Sequence, residues 1–193
     1  FHDVAGGIRN QLPEEKILWG INFRMPELLA AVMLVQLNRL DGLLDAMRQR
    51  KRMLRNGIED IARRKGVQLQ DTPDLEGDAA VAFIFFMETS ELADRVSRAL
   101  TAENIAAGSL YHPDRVDYHV YCHWIPIVNQ RSWTPQGGPW RWARREVNYG
   151  KDECPRTLDL LGRAVHLDVS PLLTNSEVEE TIDGINKVFN AIA

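Results

Sequence analysis

Two stretches concentrate the side chains able to do chemistry. In "WGINFRMPELL", Asn22 and Arg24 stand just ahead of Pro26 and a long apolar run. An amide in that place either stabilises a turn or donates to an anion, because helix starts are natural anion sites. The Arg24 guanidinium is a rigid fork suited to phosphate or carboxylate; alternatively it holds the turn through Glu27. The second stretch, "YHPDRVDYHVYCHW", brings together His112, His119, Cys122, His123 and Trp124. An aromatic face against a sugar ring, with imidazoles bonding its hydroxyls, is one use of such a set. A histidine bonded to a core carbonyl is the other. His119, Cys122 and His123 with Cys154 lack the paired spacing of a zinc site, so no metal is expected. No serine stands in a G-x-S-x-G nucleophile elbow, which removes that route to a Ser-His-Asp hydrolase.

The elements that must position these residues follow from periodicity. From Pro26, apolar residues at Leu28, Leu29, Val32, Met33, Leu37, Leu40, Leu44 and Met47 predict one long helix, continued by Ile58 and Ile61 to a stop at Gly66. Proline suits its first position, where a missing N–H costs nothing. "AAVMLV" is apolar nearly all round and is expected to be buried on several sides. The basic run "RQRKRMLR", 48–55, reads as a solvated helix face. "VQLQ" (67–70), "AAVAFIFFM" (79–87) and "AVHLDV" (164–169) read as strands. "SELADRVSRALTAEN" reads as a helix capped by Ser90, and "TNSEVEETIDGINKVFNAI" as a closing helix capped by Thr174 or Ser176. Residues 104–150 hold four of the five tryptophans and little periodicity, so a long loop region with short strands is expected.

The totals bound the class. The chain has 193 residues, 45% hydrophobic and 26% charged, enough for one sizeable soluble core. A net charge of -4 gives no general field for nucleic acid or an acidic membrane. No apolar run nears the roughly 20 residues that span a bilayer. Two cysteines make no disulfide framework, and reduced thiols point to the cytoplasm. The start at Phe1 has no initiator methionine and no signal-peptide plan, so the chain is expected to be the tail of a longer protein.

The run "GINFRMPELLAAVMLVQLNRLD" resembles the sugar aminotransferases of the DegT/DnrJ/EryC1/StrS family, pyridoxal-phosphate enzymes of fold type I. The pattern is Asn-aromatic-Arg-Met, a small turn, Glu-Leu, Ala-Ala, then Gln-Leu-x-x-Leu-Asp. "CPRTLDLLGRAVHLDVSPLLTNSEVEETIDGINKV" is similar to that family's closing segment, and "HD" and "ENIAAGSLYHP" sit in the expected order. The resemblance covers the whole chain but only the C-terminal half of a typical member. It implies an α/β fold: the small α/β-sandwich domain of a fold type I transferase (67–193), a long connecting helix (26–66), and a loop from the large domain (1–25). It implies pyridoxal 5'-phosphate as cofactor and amino transfer from glutamate or glutamine to a keto sugar. It implies a homodimer in which Asn22 reaches the cofactor phosphate of the other subunit; Arg24, by its own chemistry, is the second candidate for binding the cofactor. His119, His123 and Trp124 would line the sugar.

One departure is central. The family lysine that binds the cofactor covalently falls upstream, and Lys16, Lys51, Lys65, Lys151 and Lys187 do not stand in its context. No catalytic residue is therefore expected in this chain, and alone it should be inactive. The large domain, or a separate chain supplying it, is the implied partner. The alternatives are a sugar dehydratase of the same family, in which histidine replaces the lysine, and a stand-alone, non-catalytic binding module.

Overall fold

The computed structural model describes residues 25–132 and 134–191; Asn22 and Arg24 lie outside them. The chain divides into two compact units, one formed by residues 26–112 and 156–193 and one containing 113–155.

In the first unit, a helix α1 spans Glu27–Leu37 and α2 spans Leu40–Arg64. The expected single helix is thus divided at Asn38 and Arg39, where the amide of Asn38 bonds back to Leu34 and that of Arg39 to Gln36. Pro26 precedes α1 as its N-cap, with ψ at 148°, instead of opening it. The larger correction concerns burial. No residue of α1 is buried within this chain, and Leu28 is 81% exposed. Periodicity reports which side chains seek cover and cannot say which chain provides it.

The helix α2 is amphipathic, burying Leu54, Ile58, Ile61 and Ala62. It ends as expected at Gly66, whose φ of +68° is the left-handed conformation that glycine adopts without a Cβ penalty. Its midpoint is tight. A Cβ on Gly57 would sit 2.6–2.9 Å from Ile182 carbons, so a glycine lets the closing helix approach.

Four strands follow: β1 (Gln68–Leu69), β2 (Ala82–Phe86), β3 (Gly108–Ser109) and β4 (Ala164–Asp168), in sheet order β1-β2-β4-β3 and antiparallel throughout. The register sets Phe83 opposite Leu167 and Phe85 opposite Val165. Alternation along each strand puts these four on one face, and all four are buried. Helices α3 (Ser90–Ala102) and α6 (Asn175–Ala191) join α2 in the core around them, through Val96, Leu100, Val178, Ile185 and Phe189.

One cap differs from expectation and the other agrees with it. Thr89, not Ser90, caps α3, its side chain accepting the Leu92 N–H at 3.2 Å. Thr174 and Glu177 form a reciprocal capping box on α6, with the Thr174 N–H to Glu177 Oε2 at 2.7 Å and the Glu177 N–H to Thr174 Oγ1 at 3.3 Å.

The basic run is not simply a solvated face. Arg48 Nε donates to the Asp78 carbonyl at 2.7 Å and Lys51 Nζ to the Asp78 carboxylate at 2.6 Å. Arg55 donates to the Gln70 carbonyl at 3.0 Å, and Arg50 reaches the Leu173 carbonyl at 2.7 Å. The run therefore fastens the acidic loop 70–78 and the turn before α6 onto α2. Burial pushes the Asp78 carboxyl up, but the Lys51 hydrogen bond, the Ala80 amide and the charges of Lys51 and Arg48 outweigh it and hold it below the ordinary range.

Asp78→Ala is expected to cost about 1–3 kcal/mol, the usual range for losing a hydrogen bond to a charged group and leaving its partner. Because the folded-state pKa lies below the unfolded one, this stabilisation is complete above the ordinary aspartate value of about 4. It fades as pH falls through the depressed value. Amide exchange at Ala80, whose N–H bonds Asp78 at 2.9 Å, reads it directly. Equal protection in wild type and variant at neutral pH would refute the fastening.

Candidate functional site

The unit containing residues 113–155 carries the histidine loop. Its backbone is built from short pieces, which Pro, Gly and the lack of periodicity impose. A 3-10 turn spans Tyr121–His123, a single helical turn α4 spans Ile125–Val128, and a second 3-10 turn spans Pro139–Trp142. Val120, Cys122, His123, Ile125 and Pro126 are buried within it. Tyr121 ties the ends together: its hydroxyl donates to the Lys151 carbonyl and accepts the Cys154 N–H, both at 2.9 Å. The Gln130 side chain donates to the Val147 carbonyl across the same loop.

Of the three residues singled out in this loop, His119 and His123 share a hub, Asp117, while Trp124 is anchored separately. The Asp117 carboxylate accepts from the His119 N–H at 2.8 Å and meets His119 Nδ1 at 2.8 Å. The Asp117 backbone meets His123 Nδ1, its N–H at 3.1 Å and its carbonyl at 2.9 Å. His123 is only 8% exposed, whereas the His119 side chain is 72% exposed. Trp124 is half-buried and its indole N–H donates to the Tyr118 carbonyl at 2.8 Å. The loop thus holds one exposed imidazole, one buried imidazole and an anchored indole.

The electrostatics centre on the same aspartate. Burial raises the Asp117 carboxyl, but the His119 amide, the His119 ring bond and the charges of His119 and His123 together hold it below its ordinary value. Asp117 therefore stays a carboxylate at neutral pH. Burial moves Cys122 the other way, raising its thiol, so it does not present a ready thiolate. Among the described residues no group of three or more His, Cys, Asp and Glu is arranged to hold a metal ion. Sequence reasoning passed over Asp117. The Asp-x-His spacing was its only signal, because an aspartate two residues before a polar N–H readily closes a local turn.

The described residues do not fit a covalent pyridoxal phosphate site. Such a lysine must be desolvated or set beside an activating group. Lys51 and Lys187 are instead held by carboxylates, at 2.6 Å from Asp78 and 2.7 Å from Glu103, while Lys65 and Lys151 are exposed.

The fold as a whole is found in solved aminotransferases. An aminotransferase from Psychrobacter cryohalolentis superposes with a TM-score of 0.60 at 16% identity, over 91% of this chain and 41% of its own. The aminotransferase TlmJ from Streptoalloteichus hindustanus gives 0.56 at 16%, over 86% of this chain and 36% of its own. A Streptococcus pneumoniae protein named as a sugar aminotransferase, in its PLP form, gives 0.55 at 16%, over 88% of this chain and 37% of its own. At that identity the likeness concerns the fold alone, and the chain spans less than half the length of these structures. The family itself is shown by sequence. The profile of the DegT/DnrJ/EryC1/StrS aminotransferase family matches residues 4–127, and the chain belongs to that family. Aminotransferases of this family depend on pyridoxal 5'-phosphate. Among the described residues no helix is long and apolar enough to cross a membrane.

Proposed function

We propose that this chain is the C-terminal part of a pyridoxal-phosphate-dependent aminotransferase that moves an amino group from glutamate or glutamine to a keto sugar, nucleotide-linked or related. The observation that carries the reading is the family match over residues 4–127, which takes in both the Asn22-Phe23-Arg24-Met25 motif and the histidine loop. The cofactor brings the electron-sink chemistry. This chain brings binding groups: Asn22 and Arg24 to the cofactor phosphate across a homodimer interface, and His119, His123 and Trp124 to the sugar. Residues 1–25 belong with the large domain, 26–66 form the connection and 67–193 the small domain. The covalent lysine comes from the large domain that precedes this chain or from a separate chain that supplies it.

The exposure of α1 supports this arrangement. A helix with Leu28, Val32, Met33, Leu34, Val35 and Leu37 all bare is apolar on every side, and one flat partner covers only one stripe of it. A large domain and a dimer mate together would cover several. The two free cysteines, one buried and one exposed, suit a cytoplasmic enzyme.

The test uses the enzyme with its lysine-bearing part present. With glutamate labelled in its amino nitrogen, the label is expected in the sugar product. A sugar that loses a hydroxyl and gains no label would mark a dehydratase and overturn amino transfer. In the same enzyme Asn22→Ala should weaken cofactor retention by about 1–3 kcal/mol, the range for a hydrogen bond to a charged group. Retention equal to wild type would remove Asn22 from the phosphate site and leave the labelling result standing.

A further inference from the structure

We propose that the recess between α2 and the loop 70–78 is an anion site that takes a phosphate group, free or as a monoester. It lies wholly within the first unit, and none of the residues assigned to the cofactor or the sugar lines it.

The basic run makes the site. Arg48, Lys51, Arg52 and Arg55 stand at i, i+3, i+4 and i+7 on α2, which sets four cations on one face, and all four line the cavity. Like charges four residues apart repel, so the pairs Arg48–Arg52 and Lys51–Arg55 weaken the helix unless a counter-charge joins them. Among the described lining residues Asp78 carries the one carboxylate, and Lys51 takes it at 2.6 Å. Arg48 also lies 3.6 Å from Asp45, an exposed carboxylate outside the lining. Arg48 Nε and Arg55 Nη1 donate to the carbonyls of Asp78 and Gln70, at 2.7 and 3.0 Å, and a carbonyl is neutral. Four cations against one carboxylate leave the lining strongly positive.

The same carbonyl contacts prepare the site. A guanidinium has five N–H donors in a rigid fork, and these two arginines fix only part of theirs on backbone. The other donors are oriented before a ligand arrives, which lowers the cost of binding one. Thr72 and Gln70 add a hydroxyl and a side-chain amide, while Phe83 and Ile84 add apolar wall, beside which an electrostatic contact is stronger than in water. The cavity measures about 30 Å³, and one ordered water needs about 10–15 Å³. It therefore suits the oxygens of one small anionic group and is far too small for a nucleotide. Phosphate fits better than a carboxylate: it carries more charge, and its oxygens point several ways, toward donors on both helix and loop.

The competing account is that the acidic loop neutralises the stripe by itself. Asp71 and Asp74 line an adjoining recess with Lys51, although the Asp74 carboxylate already accepts the Glu76 and Gly77 amides at 3.1 and 2.9 Å. Titration of the full 193-residue chain with inorganic phosphate, followed by amide and arginine side-chain NMR at constant ionic strength, separates the two. Saturable shifts confined to residues 48–55 and 70–80 are expected. Arg52 has no hydrogen bond or ion pair among the described residues, so Arg52→Gln leaves the fastening of the loop intact. It should weaken phosphate about tenfold, the size of one lost hydrogen bond to a charged group. Arg64→Gln removes the same charge from the last turn of α2, outside the recess, and should leave the affinity unchanged. Glucose 6-phosphate, titrated in parallel, identifies the source: shifts at the same residues assign monoesters, and shifts with inorganic phosphate alone assign the free ion. No saturable shift with either probe, shifts centred elsewhere, or equal affinities in Arg52→Gln and Arg64→Gln would overturn the site.

Discussion

Phe85→Ala is expected to destabilise the first unit by about 3–5 kcal/mol, the range for emptying a buried aromatic site. Phe85 has no exposed surface, and its ring meets Phe189 edge-on at 5.1 Å and 88°. An edge-to-face pair adds about 0.5–1.5 kcal/mol beyond area burial, so part of the loss falls on the packing of α6. The strand ladder through β2 and β4 holds Phe85 opposite Val165, which leaves little freedom for the site to collapse around alanine. Against a typical total of about 5–15 kcal/mol, the variant should be close to unfolding or far more sensitive to urea. Helix loss followed by far-ultraviolet circular dichroism is the suitable probe, because Trp124, Trp140 and Trp142 lie in the other unit and would report on it instead. A loss under about 1 kcal/mol, the size of a surface substitution or little more, would contradict the placement of Phe85 at the centre of the core.

The elements legible in the sequence were those whose signal is local. The short apolar, aromatic run "AAVAFIFFM" and the short "AVHLDV" gave β2 and β4, and Thr174 or Ser176 ahead of an acidic first turn gave the start of α6, because side-chain type and cap chemistry act within a few residues. The helix α5, Pro155–Arg163, was missed although Pro155 opens it and Leu158 faces inward; its nine residues are too few to establish a period. The Asp78 fastening depends on side chains that approach from α2, some 30 residues earlier in the chain, and nothing local announces that. At the histidine loop the residue types were legible, but their difference in role was not. His119 and His123 are both histidines four residues apart, yet one is exposed on a carboxylate and the other buried on a backbone. Burial, which sequence cannot assign to a loop without period, separates them.

The second large effect concerns the cofactor. A covalent pyridoxal phosphate needs a lysine whose amine is kept neutral and close, and the described lysines are either ion-paired or exposed. Lys51 is the best buried of the ion-paired amines, but it is engaged at 2.6 Å with the Asp78 carboxylate. Lys187 is likewise held by Glu103 at 2.7 Å. No stoichiometric adduct is therefore expected on the described lysines, and Lys16, which lies outside the described residues, does not stand in the family lysine's context either.

The direct measurement is to incubate the purified chain with pyridoxal 5'-phosphate, reduce with borohydride, and record the intact mass and the modified peptides. The account predicts no stoichiometric adduct and no stable visible band, with only scattered substoichiometric labelling of surface lysines. One cofactor per chain, fixed on a single lysine among Lys16, Lys51, Lys65, Lys151 and Lys187, would contradict it.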